Sequence, residues 1–168
     1  MLWREPRENL SSIIEAWRAG RWITYRNLDG YSGPWSLLLP PAWRAMNGRS
    51  LGEIAAFQWE AANRTALDDL QQLPRSRWTI VNYADLIADP AACIGGICEF
   101  AELAFDSALE ARLAAPLPLS RYTQTPPAPD KWLKNAELIN PVLPQLASLR
   151  DRLAAEQLSP QTGNRAVG

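Results

Sequence analysis

The stretch that decides the fold class is Trp78-Thr79-Ile80-Val81-Asn82-Tyr83-Ala84-Asp85-Leu86-Ile87-Ala88-Asp89-Pro90. Its first part is rich in β-branched and aromatic side chains, which predicts a strand over residues 78–83. Asp89 and Pro90 then resemble an N-cap followed by a proline at the first helical position, which predicts that a helix begins there. A strand followed closely by a helix is typical of an α/β fold.

The residues after Pro90 predict a helix with one apolar face, formed by Cys93, Ile94, Ile97, Cys98 and Ala101. This spacing places both thiols in the core, where a structural role is favoured over redox or metal chemistry. The sequence has two cysteines and no histidine. That composition excludes a Cys/His zinc site, a Ser-His-Asp triad and a histidine general base.

Upstream, a second amphipathic helix is predicted between Pro6 and Gly20. The proline suits the first turn and the glycine suits the position just after the last turn. Its apolar stripe has helical spacing and consists of Leu10, Ile13, Ile14 and Trp17. The preceding Leu2-Trp3 predicts the end of a strand, so the segment 4–12 joins a strand end to a helix.

Between these elements, residues 27–49 contain several glycines and prolines together with Tyr31, Trp35 and Trp43. They predict a long irregular segment, a functional or a disordered loop, and the aromatic side chains argue against disorder. Hydrophobic packing under a long loop is the alternative to a functional role. Ser50 and Glu53 then form a capping-box pattern that opens a helix reaching about Leu73.

The C-terminal part begins with a proline-rich segment over 116–130. Asn140-Pro141 predicts the start of a last helix with Ile139, Val142, Leu143, Leu146, Leu149 and Leu153 facing inward. No repeat or linker is visible, so the sequence predicts one helix-dominated α/β domain over 1–157 and a frayed tail over 158–168.

Composition narrows the classes of function. The hydrophobic fraction is 47% and the formal net charge is −1, which argues against broad capture of nucleic acid or an anionic membrane. The sequence lacks an apolar run long enough for a membrane span, and its charged start does not resemble a signal peptide. These features predict a cytoplasmic protein. They are compatible with binding of a single anionic ligand, which needs only a few local cations.

Three segments are candidates for binding such a ligand. Arg4 and Ser12 flank a strand end and a helix start, where an anion is favoured; the alternative is a surface pair of Arg4 with Glu8. Tyr83 could present its hydroxyl to a ligand while Asp85 caps a helix or anchors an arginine; the alternative is a core aromatic and a turn aspartate. The last candidates, Arg121 and Lys131, could donate to an anion from the proline-rich segment or be solvated surface residues.

In this order, the segments resemble the second half of sulfotransferases that use 3′-phosphoadenosine 5′-phosphosulfate, with the greatest similarity to bacterial members. Residues 4–12 resemble the segment in which an arginine and a serine eight residues later grip the 3′-phosphate. Residues 83–90 resemble the tyrosine–acidic–aspartate–leucine signature, although Ala84 replaces the acidic residue. Lys131-Trp132, ahead of Asn135, resembles the C-terminal segment that covers the nucleotide.

The resemblance implies that Arg4, Ser12, Tyr83 and, on a poorer match, Arg121 contact the nucleotide. It implies a P-loop-like fold and a sulfate donor as co-substrate, with an unidentified acceptor and no metal. The family's Gly-rich phosphosulfate loop and its usual catalytic base have no counterpart in the sequence. We therefore expect the chain to be the C-terminal half of such a fold, inactive alone and completed by a missing half or by a homo-oligomer.

Two other functions are compatible with the sequence. The chain could be a pseudoenzyme that binds nucleotide without turnover, or a protein-interaction module that uses uncovered sheet edges and helix faces.

Overall fold

The computed structural model describes residues 1–115, 118, 123, 128 and 130–157. The strands are β1 (Leu2–Trp3), β2 (Ile23–Tyr25), β3 (Trp35–Ser36) and β4 (Val81–Asn82). The α-helices are α1 (Pro6–Ala19), α2 (Leu51–Leu70), α3 (Tyr83–Ala88), α4 (Pro90–Phe100), α5 (Ser107–Leu113), α6 (Ala136–Ile139) and α7 (Leu143–Ala155). Within these residues, four short 3₁₀ helices lie at Trp43–Met46, Arg75–Arg77, Lys131–Asn135 and Asn140–Val142. The described part is a helix-dominated α/β structure with small sheets, compatible with a sulfotransferase-like fold.

The main core forms where α1, α2 and α7 pack together. Leu10, Ile14, Leu146 and Leu153 are buried there, as the apolar stripes of the first and last helices predict. Helix α2 adds Trp59 and Leu67 to the same core. Burying a side chain of this size contributes about 1.5–3 kcal/mol, so the three helices stabilise one another. Trp3 and Ile80 add the sheet to the same core.

Strands β1 and β4 pair in parallel, with Leu2 opposite Val81 and Trp3 opposite Asn82. The predicted strand over 78–83 is therefore too long. Ile80 forms only an isolated parallel bridge, to Gln157. At the other end the Asn82 side chain accepts a hydrogen bond from the Ala84 N–H, so it caps α3 and turns the chain into a helix at Tyr83.

The segment 27–49 is more regular than its glycines and prolines predict. Its strand β3 pairs antiparallel with β2. Trp35 is fully buried and makes edge-to-face contacts with Trp17, Tyr31 and Trp43, at centroid distances of 5.2, 5.0 and 6.3 Å. These contacts support the alternative of hydrophobic packing under a long loop.

The Gln58 side chain of α2 ties this segment to α1. Its amide nitrogen donates to the carbonyls of Ser36 and Leu38, and its oxygen accepts from Trp17 Nε1 at 2.9 Å. A buried amide with all these partners satisfied is favourable, whereas an unpaired one would be costly.

Two predictions about the helices need correction. Of the two thiols expected in the core, Cys98 is buried but Cys93 is only half-buried. Burial, together with Asp85 and Asp89, raises the pKa of the Cys93 thiol, which keeps it in the unreactive protonated form. The second correction concerns the last helix, which does not begin as one element at Asn140.

The C-terminal helical region is divided into α6, a 3₁₀ turn and α7, with Pro141 and Pro144 near the junctions. Prolines lack the N–H that a continuous helix would need at these positions. Five of the six residues of the expected apolar face are buried, namely Ile139, Val142, Leu146, Leu149 and Leu153. The sixth, Leu143, is half-buried and packs against the core.

The capping box at Ser50 and Glu53 forms as predicted, with both reciprocal hydrogen bonds present. The helix it opens ends at Leu70, three residues short of the expected Leu73. No helix among residues 1–115 and 130–157 combines the length and the apolar character needed to cross a bilayer.

Gly52, in the first turn of α2, lies against the backbone of α6, and a Cβ there would be 2.1 Å from the Leu138 carbonyl oxygen. We expect Gly52→Ala to lower the free energy of unfolding by about 2–3 kcal/mol, because backbone would have to move. Gly95 in α4 is the control, since a Cβ there meets nothing within 4 Å. Gly95→Ala should raise stability by about 0.5–1 kcal/mol. Equal effects of the two changes in urea denaturation would contradict this packing.

Candidate anion-binding site

The candidate site lies at the edge of the sheet where β1 and β4 both end. Because Trp3 pairs with Asn82 in a parallel register, the next residues of the two strands, Arg4 and Tyr83, emerge side by side. The Arg4 guanidinium carbon lies 4.6 Å from the centroid of the Tyr83 ring. This is a cation–π contact, so the strand pairing itself brings two of the predicted site residues together.

The third predicted residue, Ser12, joins them from α1. Arg4 Nη1 donates to Ser12 Oγ at 3.4 Å, and Ser12 Oγ donates to the Glu8 carbonyl oxygen at 3.1 Å. The serine hydroxyl is thereby oriented with its lone pairs toward the arginine. The alternative of an Arg4–Glu8 ion pair is not observed, although both residues lie within the described part of the chain.

The backbone of Arg4 is also fixed, because Trp59 Nε1 donates to the Arg4 carbonyl oxygen at 3.2 Å. The Arg4 Nε is buried and has no hydrogen-bond partner among the described residues. A guanidinium has five N–H donors, and within the part of the chain that the structure describes one of them, on Nη1, donates to a protein group. Together with the N-terminal end of α1, which favours negative charge, this arrangement suits an anion.

The residue after Arg4 carries a carboxylate at the start of α1. Glu5 occupies the N-cap position of α1 but makes no side-chain capping bond. Burial raises the pKa of the Glu5 carboxyl, and the nearby charge of Arg150 partly opposes that rise. The other charged groups that act on the Glu5 carboxyl are Arg7, which lowers its pKa, and Glu8 and Asp151, which raise it.

The segment Lys131–Asn135 packs along α1. The Arg7 guanidinium carbon lies 5.2 Å from the centroid of the Trp132 ring. Glu15 forms ion pairs with Lys131, at 3.7 Å, and with Lys134. The structure thus pairs Lys131 with a carboxylate of α1. Lys131 is therefore not the solvated surface residue that the alternative interpretation of the sequence predicted.

The remaining predicted residues are placed differently. Among the described residues Asp85 is neither an N-cap nor bonded to an arginine; it accepts a hydrogen bond from Gln157 Nε2 at 2.9 Å. Arg121 lies outside the described residues. Across residues 1–115 and 130–157, no group of three or more His, Cys, Asp or Glu side chains is arranged to hold a metal ion.

Sequence reasoning missed a polar contact that connects α1 to Asn135. Ser11 is buried and accepts a hydrogen bond from Asn135 Nδ2 at 2.9 Å. A signal was present in the sequence, because Ser11 precedes Ile14 by three positions and so shares the buried side of the helix. A buried hydroxyl requires a partner, but the pattern does not say which residue supplies it.

Comparison with known proteins gives one match. Residues 38–107 match a protein-family model described as "Sulfotransferase family". No curated protein and no solved structure matches the chain. The matched segment runs from the end of β3 through α4, so it includes Tyr83 and the Asp89-Pro90 start of a helix, whereas Arg4, Ser12 and Asn135 lie outside it.

Because burial raises the pKa of Glu5, ionising this residue opposes folding. The stabilisation associated with its protonated form is present below the unfolded pKa near 4.5 and is lost as the pH rises through the higher folded value. We therefore expect Glu5→Gln to unfold at higher urea concentration than wild type at pH 7, with the difference shrinking toward pH 4. Glu102→Gln, at an exposed position, is the control. A Glu5→Gln effect that is the same at both pH values would contradict this assignment.

Proposed function

We propose that this chain, assigned to the sulfotransferase superfamily by its match over residues 38–107 and by its motifs, binds the 3′-phosphate of 3′-phosphoadenosine 5′-phosphosulfate at Arg4 and Ser12. The observation that carries the proposal is the position of Arg4, which contacts both Ser12 and Tyr83 at one sheet edge. The family match supports the presence of a sulfate donor and an acceptor. The nucleotide and the residues that hold it are our inference.

The chemistry of the site suits a phosphate dianion. The Arg4 fork offers donors in a plane that matches phosphate oxygens, and charge-assisted hydrogen bonds of this kind are about twice as strong as neutral ones. The hydroxyl of Ser12 can exchange its bond to the Glu8 carbonyl for one to a phosphate oxygen. The Tyr83 ring holds the guanidinium from one face, which lowers the entropy lost when the anion binds.

In the reaction of such a donor, an acceptor oxygen or nitrogen attacks the sulfur in line. The bond from sulfur to the bridging phosphate oxygen breaks, 3′-phosphoadenosine 5′-phosphate leaves, and the acceptor proton passes to a base. Arg4 and Ser12 would hold the nucleotide by its 3′-phosphate, which is distant from the reacting sulfur. Their contribution is therefore binding and orientation. The sequence contains neither a histidine nor a Gly-rich phosphate loop. We therefore assign no catalytic residue and expect the chain alone to bind nucleotide without sulfuryl transfer.

The first test is calorimetric titration with 3′-phosphoadenosine 5′-phosphate. We expect wild type to bind, and Arg4→Ala and Ser12→Ala each to weaken binding by roughly ten- to a hundredfold, because each removes one phosphate contact worth about 1.5–3 kcal/mol. Arg49→Ala is the matched control. Arg49 precedes α2 about 15 Å along the helix axis from Trp59, the α2 residue that contacts Arg4.

A folded wild-type protein that does not bind this nucleotide would contradict the proposed site and favour the protein-interaction function. Binding that is insensitive to Arg4→Ala and Ser12→Ala would place the nucleotide elsewhere on the chain.

The second test separates the ring of Tyr83 from its hydroxyl. Tyr83→Leu removes the ring beneath Arg4 and should weaken nucleotide binding roughly two- to fivefold, the value of an exposed cation–π contact. Tyr83→Phe retains the ring, so its affinity should stay close to wild type if the ring acts through Arg4. A loss of affinity in Tyr83→Phe equal to that in Tyr83→Leu would show instead that the hydroxyl contacts the nucleotide.

A further inference from the structure

We propose that Asn135 is a positioning residue for the Arg4–Ser12 site and that it acts through Ser11. This inference deepens the proposed function and rests on it. Asn135 lies far from Ser12 in sequence and contacts neither Arg4 nor Tyr83 in the hydrogen bonds described, so its effect on the site has to pass through α1.

The Asn135 side chain is buried, with 2% of its surface exposed, and both ends of its amide are bonded to α1. Its nitrogen donates to Ser11 Oγ at 2.9 Å, and its oxygen accepts from Arg18 Nη1 at 2.7 Å. Ser11 and Arg18 are about two helical turns apart, so one amide holds the helix at two heights along its axis.

The whole segment Lys131–Asn135 follows one polar stripe of α1. Its members recur at helical spacing and are Arg7, Ser11, Glu15 and Arg18. Each contacts the segment: Arg7 stacks on Trp132, Ser11 and Arg18 bond Asn135, and Glu15 pairs with the two lysines. The buried hydrogen bond of Ser11 is the central contact of this stripe.

The contact at Ser11 sets the direction of Ser12, because neighbouring helical residues point about 100° apart. The Arg4–Ser12 distance of 3.4 Å is near the upper limit for a hydrogen bond. A 10° rotation of α1 would move a side-chain atom about 4–5 Å from the axis by roughly 0.8 Å, enough to break that contact. The packing of Leu10 and Ile14 in the core defines the rotation of α1 less sharply than the Ser11–Asn135 hydrogen bond does. Apolar contact is non-directional, whereas a hydrogen bond is directional.

The test is a double-mutant cycle on binding of 3′-phosphoadenosine 5′-phosphate. Ser11→Ala removes the acceptor, and Asn135→Leu replaces the amide with an apolar group of similar size. We expect each change to weaken binding by roughly three- to tenfold. The double variant should bind no more weakly than the poorer single variant, because both changes remove the same contact. Arg18→Ala removes only the outer bond of Asn135 and should change affinity less than twofold.

Additive losses in the double variant would overturn the proposal, since they would reflect general destabilisation that acts independently at the two positions. Unchanged affinity in both single variants would overturn it as well.

Crystal structures of ligand-free wild type and Ser11→Ala give a second readout that does not depend on nucleotide binding. We expect the Arg4 Nη1–Ser12 Oγ distance to exceed 3.5 Å in the variant. An unchanged distance would overturn the positioning role. If the variant shows the displacement while wild type fails to bind the nucleotide, the proposed function fails and the positioning of Ser12 by Asn135 stands.

Discussion

The parallel pairing of β1 with β4 is the constraint on which the candidate site depends. These strands are only two residues long, yet their register places Trp3 opposite Asn82. Parallel strands end at the same edge, so the residues after them meet even though they are far apart in sequence. A slip of one residue would separate Arg4 from Tyr83 and turn Trp3 out of the core, so burial of Trp3 and formation of the site select the same register.

Helix α1 transmits that constraint to the rest of the molecule. Its apolar stripe packs into the core through Leu10 and Ile14, while neighbouring faces meet two other partners. Ser12 faces Arg4 at the sheet edge, and Ser11 faces Asn135. Helix α1 thus contacts the sheet, the core and the C-terminal segment. These three sets of contacts together determine how the helix is rotated about its axis.

The sequence predicts those features that depend on local pattern. The helices near Pro6, Ser50 and Pro90 follow from caps and periodicity, and Arg4 and Ser12 stand out because they flank a strand end and a helix start. Sequence reasoning failed where tertiary contacts decide. The stack of Arg4 on Tyr83 depends on strand register, and the Ser11–Asn135 bond spans 124 positions. Neither propensity nor spacing specifies such long-range partners.

The family match covers only part of the candidate site, and the sheet connects the matched part to the rest. The matched residues 38–107 include β4, whose partner strand leads into Arg4. Within the matched region, Trp59 on α2 also bonds the Arg4 carbonyl oxygen. The matched elements therefore hold Arg4 by its backbone and stack Tyr83 on its side chain. Ser12 is supplied by a helix outside the match, and this shared construction is the physical reason for treating the three residues as one site.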